Sequence, residues 1–278
     1  MNEYNPQPKI PATMLATDLD GTLIPLPGND SNKEALARIF DDHESGAIKL
    51  IYATGRHFES VIEAIETYTL PRPEWIICDV GSAIFKLIED EYTRYMPYEA
   101  HLLESTGSVN REQVEEALTG IDDLALQPPE YQQRFKVSYK CTTETLSKLV
   151  ATIEERLTTA NMPYDCMGSE DPFMGCGLID VLPRNISKAY ALLWLATHDD
   201  FSPDEVIYSG DSENDFAALV SGFRAIVVAN CSDGLVDKVQ QKLKARGLEE
   251  RLYIAKGKAT SGVLEGCQHF GLMKAMTS

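Results

Sequence analysis

The run Met14-Leu15-Ala16-Thr17-Asp18-Leu19-Asp20-Gly21-Thr22-Leu23 constrains this chain more than any other. An apolar stretch leads into two carboxylates at i and i+2, and a Gly-Thr turn follows at once. Side chains two apart on a strand point the same way. A strand here therefore aims Asp18 and Asp20 at one point just past its carboxyl end, where open α/β sheets bind their ligands. One carboxylate can attack a phosphoryl group as a nucleophile. The other can carry a proton to and from the leaving oxygen. The competing reading is a surface turn, because Asp and Gly are common turn formers.

The pattern around that run predicts a parallel sheet. Ile10 to Leu19 reads as the first strand, after a lead-in over residues 1–11 rich in Asn, Pro and Gln. Ser31 to Glu44 reads as a helix capped by Ser31 or Asn32, with Leu36, Ile39 and Phe40 at helical spacing. Buried strands are expected at Ile48–Ala53, Trp75–Asp79, Val206–Ser209 and Arg224–Ala229. Helices are expected at Phe58–Tyr68, Ser187–Thr197 and Asp215–Ser221. Strand–helix alternation of this kind implies right-handed crossovers. Between Leu87 and Leu182 the strands become amphipathic, as in Arg134–Lys140 and Gly177–Leu182, with a polar helix over Ser147–Ala160. The expected fold is α/β, a Rossmann-like parallel-sheet core with an inserted mixed α/β cap domain. The expected bounds are 1–86 and 183–278 for the core and 87–182 for the insert, with hinges near Phe85–Leu87 and Leu182–Arg184.

Composition excludes several classes. A net charge of −18 over 278 residues disfavours nucleic acid and anionic membranes, which reward clustered Lys and Arg. The apolar runs are too short to span a bilayer. No basic segment followed by an apolar core opens the chain, so the expected compartment is the cytoplasm. Cys78, Cys141, Cys166, Cys176, Cys231 and Cys267 form no C-x-x-C pair and read as buried thiols.

Four segments fall where strands end or helices begin. The first holds Asp18 and Asp20. In the second, Thr54-Gly55-Arg56, a hydroxyl and free N–H groups at a helix start suit phosphate oxygens, though a plain N-cap fits as well. The third is Lys188 at the start of a helix, either a point charge for an anion or a solvated surface lysine. The fourth, Gly210-Asp211-Ser212-Glu213-Asn214-Asp215, crowds three acids into a strand-end turn. A divalent cation would relieve their repulsion, and oxygen donors suit Mg²⁺. A polar turn capping a helix is the alternative.

Taken in order, Asp-Leu-Asp-Gly-Thr-Leu (18–23), Ala-Thr-Gly-Arg (53–56), Lys188 and Gly-Asp-Ser-x-Asn-Asp (210–215) resemble the four motifs of the haloacid dehalogenase superfamily of phosphatases. The resemblance covers about 12–86 and 183–275. It implies that Asp18 is the nucleophile that forms an aspartyl-phosphate and Asp20 the general acid, then base. Thr54, Gly55, Arg56, Lys188 and Asn214 would bind substrate. Mg²⁺ would be held by Asp18, Asp20 (through its backbone carbonyl) and Asp211, with Asp215 completing or supporting that shell.

The inserted segment is similar to the sugar-phosphatase branch, most of all sucrose-phosphate phosphatases and mannosyl-3-phosphoglycerate phosphatases. Val80-Gly81-Ser82-Ala83-Ile84, Phe135-Lys136-Val137-Ser138-Tyr139 and Ser261–Phe270 carry that likeness. Two stretches depart from it: Asn185-Ile186-Ser187 replaces a Gly-rich turn, and Met167–Cys176 matches only loosely. The likeness implies a small-molecule phosphate ester, a sugar phosphate, as partner, with sucrose 6-phosphate first. Another glycosyl phosphate, a phosphoglycerate ester, a mutase and a non-catalytic binding relative are the alternatives. Lys136 is the candidate sugar contact. Alternation puts it on one face with Ser138, and Val137 and Tyr139 on the other. A monomer or small homo-oligomer is expected.

Overall fold

Long apolar runs with few charges form the centre of a parallel sheet, because helices cover both of its faces. The computed structural model describes residues 10–170, 175–199 and 201–275. The first half of the chain gives β1 (Met14–Thr17), α1 (Asp30–Glu44), β2 (Lys49–Ala53), α2 (Phe58–Tyr68), β3 (Trp75–Cys78), β4 (Ala83–Ile88) and β5 (Glu91–Arg94). Next come α3 (Met96–Ser105), α4 (Arg111–Leu118), β6 (Ala125–Leu126), β7 (Val137–Cys141), α5 (Leu146–Thr159), β8 (Tyr164–Glu170) and β9 (Gly177–Pro183). The last part gives α6 (Lys188–His198), β10 (Val206–Gly210), α7 (Phe216–Leu219), β11 (Arg224–Val227), α8 (Leu235–Lys244), β12 (Leu252–Ile254) and α9 (Ala259–His269).

The large sheet has eight strands in the order β12-β11-β10-β1-β2-β3-β4-β5. The chain builds outward from β1 on one side, then returns to its other side at β10. Thr17 of β1 lies level with Ser209 of β10 and Tyr52 of β2, all parallel. The carboxyl end of β1 is thus the point where strand order reverses, the place such sheets use for ligands. Leu15, Ala16, Ile51, Ile76, Ile207 and Ile226 are fully buried in this layer.

The chain divides into two compact units: residues up to Gly81, Phe85–Thr93 and Ser187 onward in one, Ser82–Ile84 and Arg94–Ile186 in the other. Strands β4 and β5 extend the large sheet, and Phe85–Thr93 group with the first unit. Of the expected hinges, Phe85–Leu87 lies inside β4, and Leu182 and Pro183 close β9, with Arg184 just after it. Within the second unit, β6-β7-β9-β8 form a four-stranded antiparallel sheet. Val137, Tyr139 and Cys141 pack into a cluster with Val114, Leu118, Leu149 and Ile153 of α4 and α5. Ser138, on the opposite face by alternation, donates to Asp180 Oδ1 at 2.5 Å. Val137 and Tyr139 share the core face of β7, as expected.

Local chemistry moved several boundaries. Helix α1 is capped by Asn29, whose side chain accepts from the Asn32 N–H, rather than by Ser31 or Asn32. The Asn32 amide instead donates to Lys258 O and Ser261 Oγ, tying α1 to the start of α9. The first strand begins at Met14, not Ile10. All six cysteines are free thiols; Cys78, Cys141 and Cys267 are buried and the other three half-buried. Of the loosely matching stretch, Met167 to Glu170 belong to β8 and Asp171–Met174 lie outside the described residues, as does the lead-in up to Lys9. No helix among the described residues is long and apolar enough to cross a membrane.

Candidate active site

The first unit holds the four predicted segments: three follow the carboxyl ends of β1, β2 and β10, and Lys188 opens α6. Asp18 follows β1 directly, and its N–H donates to Ser209 O at 3.0 Å. After it the chain makes a wide turn over Leu19–Leu23, closed by the Ile24 N–H on Leu19 O. Gly21 is required twice in that turn. Its φ is +72°, and a Cβ there would sit 2.2 Å from Asp211 Oδ2. The turn is pinned from outside by Asn230, which donates to Gly21 O at 2.8 Å and accepts from the Ala259 N–H.

Lys188 is the centre of the group. Its Nζ lies 2.9 Å from Asp18 Oδ1, 2.8 Å from Asp215 Oδ1 and 2.9 Å from Asn214 Oδ1. The lysine is fully buried, so the solvated alternative fails. Burial works against its charge, but the Asp18 and Asp215 carboxylates more than offset this and hold its pKa above the ordinary lysine value. Burial pushes the Asp18 carboxyl up to about 8; Lys188 pulls it down, while the charges of Asp215 and Asp211 add to the rise. Asp211 is pushed up to about 6, by burial first and then by Asp215. Oxygen atoms of Asp18, Asp211 and Asp215 lie within 4.8 Å of one another. An all-oxygen set of acids whose charges oppose one another fits a hard divalent cation.

Asp215 is engaged more fully than the sequence indicated. Its Oδ1 takes Lys188 Nζ and the Tyr208 hydroxyl (2.6 Å), and its Oδ2 takes the Asp211 and Ser212 N–H groups and the Ser212 hydroxyl. Gly210 makes room for it, since a Cβ there would meet Asp215 Cγ at 2.5 Å.

Thr54 is buried, with its N–H on Ile77 O, and its hydroxyl accepts from the Arg56 N–H at 3.2 Å. The Gly55 N–H has no acceptor among the described residues. Arg56 was expected to bind substrate. Here it grips the half-exposed Asp20 carboxylate with both oxygens, Nε to Oδ2 at 2.7 Å and Nη2 to Oδ1 at 2.6 Å. Ser60 holds the remaining guanidinium nitrogen through its carbonyl and hydroxyl. Lys136 belongs to the second unit, buried just before β7. Sequence reasoning missed Tyr208, Asn230 and the Thr22 hydroxyl, which donates to Asp211 Oδ1. Thr22 at least stood inside the first motif, whereas Tyr208 and Asn230 carried no local signal.

A family model described as sucrose-6F-phosphate phosphohydrolase matches residues 11–271. The chain belongs to this family. Sucrose-6F-phosphate phosphohydrolases are phosphatases of the haloacid dehalogenase superfamily, and the chain is accordingly a phosphoric monoester hydrolase. A HAD-like hydrolase of Nitrosococcus oceani is 29% identical over 265 residues, covering 92% of this chain and 71% of that protein. The mannosylfructose-phosphate phosphatase of Agrobacterium fabrum is 27% identical over 269 residues, 94% of this chain and 98% of that protein. The sucrose-phosphatase of Synechocystis, solved with sucrose and phosphate, shares the fold at a TM-score of 0.75 and 24% identity, covering 94% of this chain and 98% of that one.

Proposed function

We propose that this phosphatase hydrolyses the monophosphate ester of a small disaccharide, sucrose 6-phosphate first, with Mg²⁺ and through an aspartyl-phosphate on Asp18. The carrying observation is the buried Lys188 ammonium held between Asp18 and Asp215 at the strand-order reversal. The family and the Agrobacterium relative support a disaccharide containing fructose.

The Asp18 oxygen attacks phosphorus, and the ester oxygen leaves with a proton from Asp20. The Lys188 charge, the Thr54 hydroxyl and the Gly55 N–H hold the phosphoryl oxygens, so most of the catalysis is positioning and charge stabilisation. In the second step the Asp20 carboxylate takes a proton from water, which attacks the acyl-phosphate and frees inorganic phosphate. Arg56 orients the Asp20 carboxylate through both of its oxygens; in the first step an oxygen of Asp20 has to leave Arg56 to carry the proton. Asn214 fixes Lys188 and lies within reach of the same phosphoryl group. When bound, Mg²⁺ supplies positive charge to the phosphoryl oxygens and the nucleophile. Asp18, Asp211 and the Asp20 carbonyl would hold it. Asp215, with both oxygens committed to five donors, acts by orienting Lys188 and the 211–212 turn rather than as a direct ligand. Lys136 is the proposed sugar contact of the second unit, with Tyr139 committed to its core.

The test is Mg²⁺-dependent phosphate release from sucrose 6-phosphate, mannosylfructose phosphate and simple hexose phosphates, beside Asp18→Asn. Selective turnover of a fructose-containing disaccharide phosphate, lost in Asp18→Asn, is expected. Equal turnover of all esters would discard the disaccharide, and release unaffected by Asp18→Asn would discard the nucleophile.

A further inference from the structure

Directly after β3, Asp79, Val80 and Gly81 take φ values of +52°, +58° and +101°, three left-handed residues in succession. A β-branched residue is a true outlier in that region, and such strain persists only where the surroundings over-determine it. The surroundings here are two segments of the candidate site. On one side, the Asp79 N–H donates to Arg56 O at 2.9 Å and the Val80 N–H to Thr54 O at 3.2 Å. The carbonyls of Thr54 and Arg56 are thereby drawn to the turn, while the Gly55 N–H between them has no acceptor among the described residues. Val80 Cγ2 rests 3.9 Å from where a Cβ on Gly55 would lie. On the other side, a Cβ on Gly81 would come 2.3 Å from Ser187 O and 2.9 Å from Lys188 N, the first peptide of α6. All of these residues belong to the first unit.

We propose that Asp79-Val80-Gly81 is a positioning element that fixes the spacing between the Thr54–Gly55 segment and the Lys188 end of α6, and so the span across which the phosphoryl group is held. It acts through two groups that lie far apart in sequence, and no side chain of the turn needs to touch substrate. An ordinary extended or helical turn could not present two successive N–H groups to the 54–56 carbonyls and still let its next residue abut Ser187. The inference rests on the phosphatase reading of the site.

Three variants test it: Gly81→Ala, Val80→Ala and, as a control, Gly46→Ala. Gly46 also has positive φ (+75°), with nothing within 4 Å of an added Cβ, so its substitution adds similar backbone strain with no clash. Melting temperature, KM, kcat and the inhibition constant for inorganic phosphate are measured for each. Gly81→Ala is expected to lower kcat by up to about 10²-fold, the cost of a misplacement on the ångström scale, and to weaken phosphate inhibition. Gly46→Ala is expected to lose melting temperature alone. A folded Gly81→Ala with wild-type kcat and phosphate inhibition overturns the proposal, as does an equal kinetic loss in Gly46→Ala. Should Gly81→Ala fail to fold, Val80→Ala decides: removing the methyl groups over Gly55 is expected to weaken phosphate inhibition severalfold, and an unchanged constant overturns the proposal. A wild-type protein that releases phosphate from no ester would instead remove the reading beneath it.

Discussion

Lys188→Met keeps the length and apolar stem of the side chain and deletes its charge. The ammonium now has Asp18, Asp215 and Asn214 within 2.9 Å and no solvent. Removing one partner of a buried ion pair costs about 3–5 kcal/mol, because the remaining charge is left uncompensated. Asp18 has a second option, which is to bind a proton. Its folded pKa stands at about 8 with Lys188 in place and rises further without it. A carboxyl raised on folding lends stability at low pH and loses it as pH climbs through the folded pKa. Below about pH 8, both proteins carry the Asp18 proton when folded, so the penalty is flat. Above that, the wild type gives up the proton to a lysine-paired carboxylate while the variant keeps it. The gap then widens by about 1.4 kcal/mol per pH unit. Urea unfolding of both proteins in metal-free buffer at about pH 6.5, 8 and 9.5 reads this directly. Turnover should fall by at least about 10²–10³-fold, as for other buried groups that stabilise developing charge. A penalty below about 1 kcal/mol at the lowest pH, far under the cost of a broken buried pair, would refute the reasoning. So would a penalty that stays flat at the highest pH.

Cation binding must displace the protons that burial keeps on Asp18 and Asp211, whose pKa values stand at about 8 and about 6. Mg²⁺ affinity should therefore rise with pH through that window with proton release, seen by calorimetry in buffers of different ionisation enthalpy, and a pH-independent affinity would count against it. By the same sign, the metal-free protein should lose stability as pH rises toward 8. Gly21→Ala places a Cβ 2.2 Å from Asp211 Oδ2 at a φ of +72°. It should cost about 1–3 kcal/mol of stability and weaken Mg²⁺ binding, and an unchanged Mg²⁺ titration would show that Asp211 does not need that space.

The central strands were legible because burial on both faces leaves an unbroken apolar run, as in Leu50-Ile51-Tyr52-Ala53 and Val206-Ile207-Tyr208. Helix α2 was legible over its whole length, since Val61, Ala64 and Ile65 recur at helical spacing among polar residues. The β4–β5 hairpin was not, because its two-residue turn is Glu89-Asp90, both with positive φ and neither a glycine. Strand β12 spans three residues, Leu252–Ile254, too few for any periodicity to register. In the site, the motif residues are local in sequence and could be named. The character of Lys188 could not, because a lysine at a helix start is solvated or buried according to what the rest of the chain lays over it. Tyr208 looked like one more core residue of β10. Only the approach of Asp215 gives its hydroxyl a task.

The order of the large sheet has a consequence for synthesis. Asp18 is made before the second unit, whereas β10, Lys188 and Asp211 emerge only after its long stretch, Arg94–Ile186, has left the ribosome. Until then β1 is the bare margin of a half-built sheet, with its backbone groups and the side chains of Met14–Thr17 open to any partner. Such a margin invites misassembly in a nascent or truncated chain. A product ending near Ile186 would hold a finished second unit and a nucleophile with no cation beside it. Premature release is thus a hazard of aggregation rather than of stray chemistry.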